Sequence, residues 1–168
     1  GLEYGEGAVI PRSPDEIIAQ GYGDCKDQAT FLVALLRQAG IQAHVALLYA
    51  GFGRDMEPAV PSLNHFNHAI VYIPGDDPLW IDPTHRFMPV GQLALRDRGR
   101  WALVADEKTS SLIKTPPRSA DSNIERARRV VYLPESGEGR ILEFTDGEGD
   151  LGEDLRDNLF EVDQKDLR

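Results

Sequence analysis

Residues 23–39 read GDCKDQATFLVALLRQA, a short polar start that leads into a long apolar run. Asp24 is a suitable N-cap, Asp27 adds negative charge to the first turn, and Gly40 is a typical C-terminal stop. The pattern therefore predicts a helix over residues 25–39. Apolar residues occupy most of its circumference, so we expect this helix to be buried on more than one side.

Cys25, the single cysteine of the chain, would be the first residue of this helix. A thiol in that position lies at the positive end of the helix dipole, and the adjacent Lys26 adds a second cause for a lowered pKa. A lone cysteine cannot form an intrachain disulfide. Its ordinary role is that of a small buried residue, so a catalytic role depends on partners elsewhere in the chain.

A histidine and an aspartate are found at the edges of two predicted strands further along the chain. His68 lies near the start of the strand predicted over residues 66–73, and Asp82 ends the strand predicted over residues 79–82. The turn at residues 74–78 favours a hairpin, in which side chains on one face of neighbouring strands come within reach. A cysteine, a histidine and an aspartate are the components of a nucleophilic triad.

The sequence pattern of the remaining segments predicts one helix before residue 23 and several short strands. Ser13 and Glu16 form a capping box with proline between them, so a short helix should run to about Gln20, with Gly21 ending it. The further predicted strands cover residues 41–50, 101–104, 126–133 and 140–145, and the tail from Glu153 is predicted to be helical. The pair Pro116-Pro117 predicts a boundary between a core, residues 1–117, and a β-rich extension, residues 118–168.

Composition limits the classes of partner. The chain has 168 residues, which suffices for one core with a small appendage, and its net charge of −10 does not favour phosphate backbones or anionic lipids. No apolar run approaches the length of a membrane span. We therefore predict no nucleic-acid partner and no direct membrane insertion. Because the chain begins with Gly1, we expect it to be a piece of a longer protein.

Three ordered motifs resemble the signatures of the transglutaminase-like superfamily, and in particular its bacterial branch. These are Gly23–Asp27, Phe66–Ile70 and Leu79–Thr84. The resemblance covers roughly residues 4–115, and the segment after Pro117 is similar to the start of the β-rich region that follows in longer members. It implies an α+β, papain-like fold in which an N-terminal helix packs on an antiparallel sheet.

The resemblance also implies a chemistry. Cys25 would be the nucleophile, His68 the general base and acid, and Asp82 the group that orients the imidazole. The superfamily includes crosslinking enzymes, peptidases, amidases and members without activity, and the active ones share an acyl-thioenzyme step. We expect a protein or peptide substrate, no cofactor, and hydrolysis slightly favoured over crosslinking. The resemblance favours the bacterial periplasm or cell envelope, and the sequence predicts no particular oligomeric state.

Secondary site residues follow from the same hypothesis. The backbone N–H of Cys25 is the natural first donor of an oxyanion hole, and Gln20 and Tyr22 are the candidate side-chain donors. Trp80 is most simply a core residue, and it is also a candidate for the wall of the site because it neighbours Asp82.

Two other hypotheses remain at this point. The domain would be a binding or scaffold module if its triad were idle. A metal-dependent hydrolase has suitable ligand types in Cys25, His68 and Asp82, but no closely spaced ligand pair supports it, and we predict no metal site. His65 and His68 would point to opposite faces of a strand. His44 and His85 are interpreted as structural or surface groups.

Overall fold

The protein is made of two compact units, Gly1–Pro117 and Arg118–Arg168. The structure is a computed structural model. It describes residues 10–60, 62–117 and 119–162. Two predicted regions extend beyond the described residues. They are the start of the family resemblance, before residue 10, and the end of the predicted helical tail, after residue 162.

The first helix, α1, spans Pro14–Gln20, as predicted. The side chain of Ser13 accepts a hydrogen bond from the N–H of Glu16, and the Glu16 carboxylate accepts one from the N–H of Ser13. This reciprocal capping box satisfies donors that a helix start otherwise leaves unpaired. Gly21 ends the helix with a φ of 73°, a left-handed conformation that favours glycine.

The second helix, α2, spans Cys25–Gln38 and begins with a capping box formed by Asp24 and Asp27. Val33 is buried on the face that packs against the sheet, whereas Leu35 is 52% exposed. The face opposite the sheet is covered near the start of the helix, where Asp27 is fully buried against Arg12, so the prediction of burial on more than one side holds for that part of α2.

Five strands form an antiparallel sheet in the order β3-β2-β1-β4-β5. They are β1 (His44–Leu48), β2 (His68–Ile73), β3 (Leu79–Ile81), β4 (Trp101–Val104) and β5 (Ile113–Lys114). The first four were predicted with longer or equal bounds. The two residues of β5 are too few for a period of two to be visible in the sequence. The predicted α+β class, with a helix packed on an antiparallel sheet, is confirmed.

Two apolar layers form on opposite faces of this sheet, because successive side chains of a strand alternate. Ala69 and Val71 pack against α2 on one face. Ile70 and Trp80 belong to the other face, where Leu93 is also buried. Trp80 is therefore a core residue. The centroid of its ring lies 4.7 Å from the ring centroid of Tyr72, the residue opposite it on β2.

In its described residues, 119–162, the second unit contains a hairpin and an α-helix. Strands β6 (Glu125–Tyr132) and β7 (Arg140–Gly147) pair in antiparallel register, as predicted, and α3 spans Asp150–Glu161. The helix thus begins a few residues before the predicted Glu153. In the part of the chain that the structure describes, no helix combines the length and the apolar character that a membrane crossing requires.

Candidate active site

The turn before Cys25 is fixed by a buried carboxylate. Asp27 is fully buried and accepts hydrogen bonds from the backbone N–H of Arg12 at 2.8 Å and from its guanidinium at 2.7 Å. A Cβ atom on Gly23 would lie 2.6 Å from the Cβ of Asp27, so this position requires glycine. These contacts hold Cys25 as the first residue of α2, where its N–H has no carbonyl within the helix to bind.

The thiol of Cys25 contacts two groups from strand β2. A hydrogen bond with the His68 side chain is the largest cause that lowers the pKa of Cys25, and the backbone N–H of Ala69 acts in the same direction. Burial and the charge of Asp24 oppose this shift. Lys26 forms an ion pair with Asp24, so the imidazole, rather than the lysine considered from the sequence, is the main cation for the thiolate.

His68 joins the thiol to a carboxylate. Its Nε2 lies 2.7 Å from Oδ2 of Asp82, which leaves Nδ1 as the ring nitrogen available to Cys25. The strand register explains the contact. Val71 pairs with Ile81, and extending the register by one residue places Asp82 diagonally across from His68 on the same face.

The environment of His68 strongly favours the imidazolium form. Burial opposes the charge. Hydrogen bonds with Asp82 and Cys25, together with the negative charges of Asp82 and Asp97, outweigh it and raise the pKa of His68 to about 10. The ring thus keeps its proton at neutral pH while the adjacent thiol loses its own more readily.

Asp82 is held at both of its oxygens. Oδ1 accepts hydrogen bonds from the Thr84 N–H at 2.9 Å and from the Thr84 hydroxyl at 2.7 Å, while Oδ2 binds His68. Burial raises the pKa of Asp82, but the hydrogen bond with His68 and its charge outweigh burial and lower it. His85, interpreted from the sequence as structural or surface, has its Nε2 3.6 Å from Oδ2 of Asp82. Thr84 was missed as a partner, although a threonine two residues after an aspartate is a typical turn signal.

A cavity of about 430 Å³ opens beside the thiol. Cys25 and His68 line it together with apolar, amide and basic side chains. The other lining residues are Lys26, Leu47, Leu63, Asn64, Phe66, Asn67 and Ala69. Of the secondary residues considered from the sequence, Gln20 and Tyr22 are exposed and do not line this cavity, and neither does the buried Trp80.

One further carboxylate near the site was not found from the sequence. Asp97 is fully buried in a 3₁₀ turn, Leu95–Asp97, inside a segment that reads as irregular and arginine-rich. One ligand atom each of His68, Asp82 and Asp97 lies within 4.8 Å of the others. No sequence signal identifies this aspartate, because the segment has neither helical nor strand periodicity.

These three side chains have the donor types of a metal site, but their geometry is that of a hydrogen-bonded pair. Two ligands of one tetrahedral zinc ion stand about 3.3 Å apart, given bonds of about 2.0 Å. The 2.7 Å between Nε2 of His68 and Oδ2 of Asp82 is shorter and matches a charge-assisted hydrogen bond. We therefore interpret the cluster as one that binds protons.

The fold and the site together define the class as an α+β domain with a cysteine at the start of the helix that packs on its sheet. Comparison with protein families gives a more particular answer. Residues 6–82 match the model of the transglutaminase-like superfamily, whose members generally carry out cysteine-dependent acyl transfer or hydrolysis. This segment of the chain is therefore similar to the transglutaminase-like superfamily, as the three motifs indicated. No curated protein and no solved structure shows significant similarity to the chain.

Proposed function

We propose that Cys25, His68 and Asp82 are the catalytic triad of an enzyme that transfers or hydrolyses acyl groups of protein or peptide amides. The observation that supports this proposal best is the 2.7 Å contact between His68 Nε2 and Asp82 Oδ2, on a ring that also hydrogen-bonds the thiol. Each residue then has one role. Cys25 is the nucleophile, His68 moves the proton, and Asp82 holds the ring and stabilises its charge.

In the first half-reaction, the thiolate of Cys25 attacks the carbonyl carbon of the amide. A C–S bond forms, and the electron pair of the carbonyl moves to its oxygen. The backbone N–H of Cys25, at the start of α2, is available to donate to that oxyanion. When the oxyanion collapses, the C–N bond breaks, the His68 imidazolium gives its proton to the leaving amine, and a thioester remains.

In the second half-reaction, the now neutral imidazole of His68 removes a proton from water. The hydroxide attacks the thioester carbon, the C–S bond breaks, and the electron pair returns to Cys25 as a thiolate. We favour water over a primary amine as the acceptor. The described lining of the cavity includes no carboxylate that would bind an ammonium group.

The proposal is tested by trapping the acyl-thioenzyme. Native protein is mixed with p-nitrophenyl acetate, and the release of nitrophenolate and the intact mass are followed together. We expect a burst of one acetyl group per chain on Cys25, and none above background in Cys25→Ala. The burst should be slowed by about 100-fold or more in His68→Ala, as expected for loss of general acid–base catalysis.

His65→Ala is the matched control, because His65 lies only three residues away and does not line the same cavity. It should acylate at the native rate. If native protein acylates no faster than Cys25→Ala, the triad is idle, and the domain is better interpreted as a binding or scaffold module.

A further inference from the structure

Asp97 is a buried carboxylate that the triad mechanism leaves unused. Neither of its side-chain oxygens has a hydrogen-bond partner within the described part of the chain. Its backbone is fixed, because its N–H donates to the Ala94 carbonyl at 2.9 Å and its carbonyl accepts from the Thr115 hydroxyl at 2.6 Å. An unpaired buried carboxylate is costly, so a nearby cation or a bound proton must compensate for it.

Four charged groups act on Asp97, and they come from three places in the fold. His68 lies at the start of β2, Asp82 and His85 follow β3, and Arg96 is the preceding residue of the same turn. Burial is the main cause that raises the pKa of Asp97 to about 6, and the charge of Asp82 adds to it. The three cations oppose that shift, with His68 exerting the largest effect among them.

We propose that Asp97 is a positioning residue that shares the imidazolium charge of His68 with Asp82. The inference deepens the proposed function and rests on it. The ring faces the thiol of Cys25 and, within 4.8 Å, two carboxylates. Because the thiolate forms together with the imidazolium, a carboxylate that stabilises the charged ring also favours the thiolate. When Asp97 binds a proton, this support is lost, and only Asp82 remains.

The experiment is a titration of His68 by NMR in protein with ¹⁵N-labelled histidine, its signals assigned with His68→Ala. We expect Asp97→Asn to lower the pKa of His68 by about half a unit or more, a threefold change in proton affinity. The control is Asp106→Asn, which removes the carboxylate 3.9 Å from a different histidine, the buried His44. It should leave the pKa of His68 unchanged. A purely structural role for Asp97 would not move this value.

A second measurement needs no variant. In the native protein, the signals of His68 should show an inflection near pH 6 while the ring itself stays protonated, because Asp97 titrates beside it. A folded Asp97→Asn protein with an unchanged pKa of His68 overturns the proposal. If that variant does not fold, the native titration decides, and the absence of an inflection between about pH 5 and 7 overturns it. Failure of the acylation test would leave this titration intact, so the two proposals fail separately.

Discussion

His68 is the residue that contacts both the carboxylate of Asp82 and the thiol of Cys25. Its Nε2 binds Asp82, and its other nitrogen is left for Cys25. The proton that leaves the thiol is therefore kept within the site, on a ring whose charge is stabilised from the opposite side. The sequence alone predicted these three residues, because each stands in its own motif. It could not predict Asp97, which the fold brings close from an irregular segment.

Asp82→Asn tests the electrostatic role of the carboxylate. An asparagine side chain preserves the shape but removes the charge that stabilises the His68 imidazolium, so the pKa of His68 falls. We expect the rate of acylation at pH 7 to fall by about 10⁴-fold, the order typical of the equivalent change in a serine triad. Stopped-flow release of nitrophenolate measures it. A change of less than about threefold, in a variant with native near-UV circular dichroism, would contradict the role given to Asp82.

At the scale of elements, the sequence predicted where the helices begin. It did not predict which residues cover the face of the sheet that lies away from α2. Capping boxes at Ser13 and Asp24 are local signals, and both helices begin where those signals stand. The second apolar layer of the sheet is closed by residues such as Leu93 in an irregular segment, where neither helical nor strand periodicity exists. The exposure of Leu35 in α2 has a related cause, because an apolar circumference does not show which side chains another element will cover.

Gly23→Ala tests how the start of α2 positions the thiol. The added Cβ would meet the Cβ of Asp27 at 2.6 Å, so the backbone must shift at the turn that holds Cys25. We expect a loss of stability of roughly 1–3 kcal/mol, as for other overpacked sites, and acylation slowed by about tenfold or more. Urea unfolding and the acylation burst measure the two effects.

The matched control for this change is Gly75→Ala, in the turn between β2 and β3. A Cβ atom there meets nothing within 4 Å. This variant should keep native stability and activity. Equal behaviour of the two variants would show that the close approach at Gly23 has no functional consequence.

At the scale of the whole molecule, the proton balance of the site links chemistry to stability. Unfolded, a histidine titrates near ~6.5 and a cysteine near ~8.5. Between these values the unfolded chain holds one proton on the thiol, whereas in the proposed thiolate–imidazolium pair the folded chain holds that proton on His68, whose pKa is raised to about 10. The proton counts are equal, so this pair adds no pH dependence to stability in that range.

Removing the thiol should reveal how the raised pKa of His68 contributes to the pH dependence of stability. In Cys25→Ala, Asp82 still raises the pKa of His68, so the folded state holds a proton that the unfolded state lacks above ~pH 6.5. A raised folded pKa gives stability that is fully present below the unfolded pKa and lost as the pH rises. We therefore expect the free energy of unfolding of Cys25→Ala to fall, relative to native protein, by up to about 1.4 kcal/mol per pH unit from ~6.5 to ~8.5.

Urea unfolding followed by tryptophan fluorescence measures this difference. Both tryptophans of the chain, Trp80 and Trp101, lie in the first unit, so the signal reports the unit that contains the site. Comparing two proteins that differ only at residue 25 cancels the other titrating groups. Parallel pH dependences for the two proteins would contradict the proposed thiolate–imidazolium pair of Cys25 and His68.

The pH dependence of Cys25 alkylation by iodoacetamide, in native protein and in His68→Ala, tests the central claim most directly. We expect native protein to react as a thiolate well below the ordinary cysteine pKa near ~8.5, and His68→Ala to lose that reactivity. His65→Ala should behave as native protein, and equal rates above ~pH 9.5 in all three would show that the thiol is accessible in each. An ordinary titration near ~8.5 in native protein, unchanged by His68→Ala, would contradict a working cysteine–histidine pair.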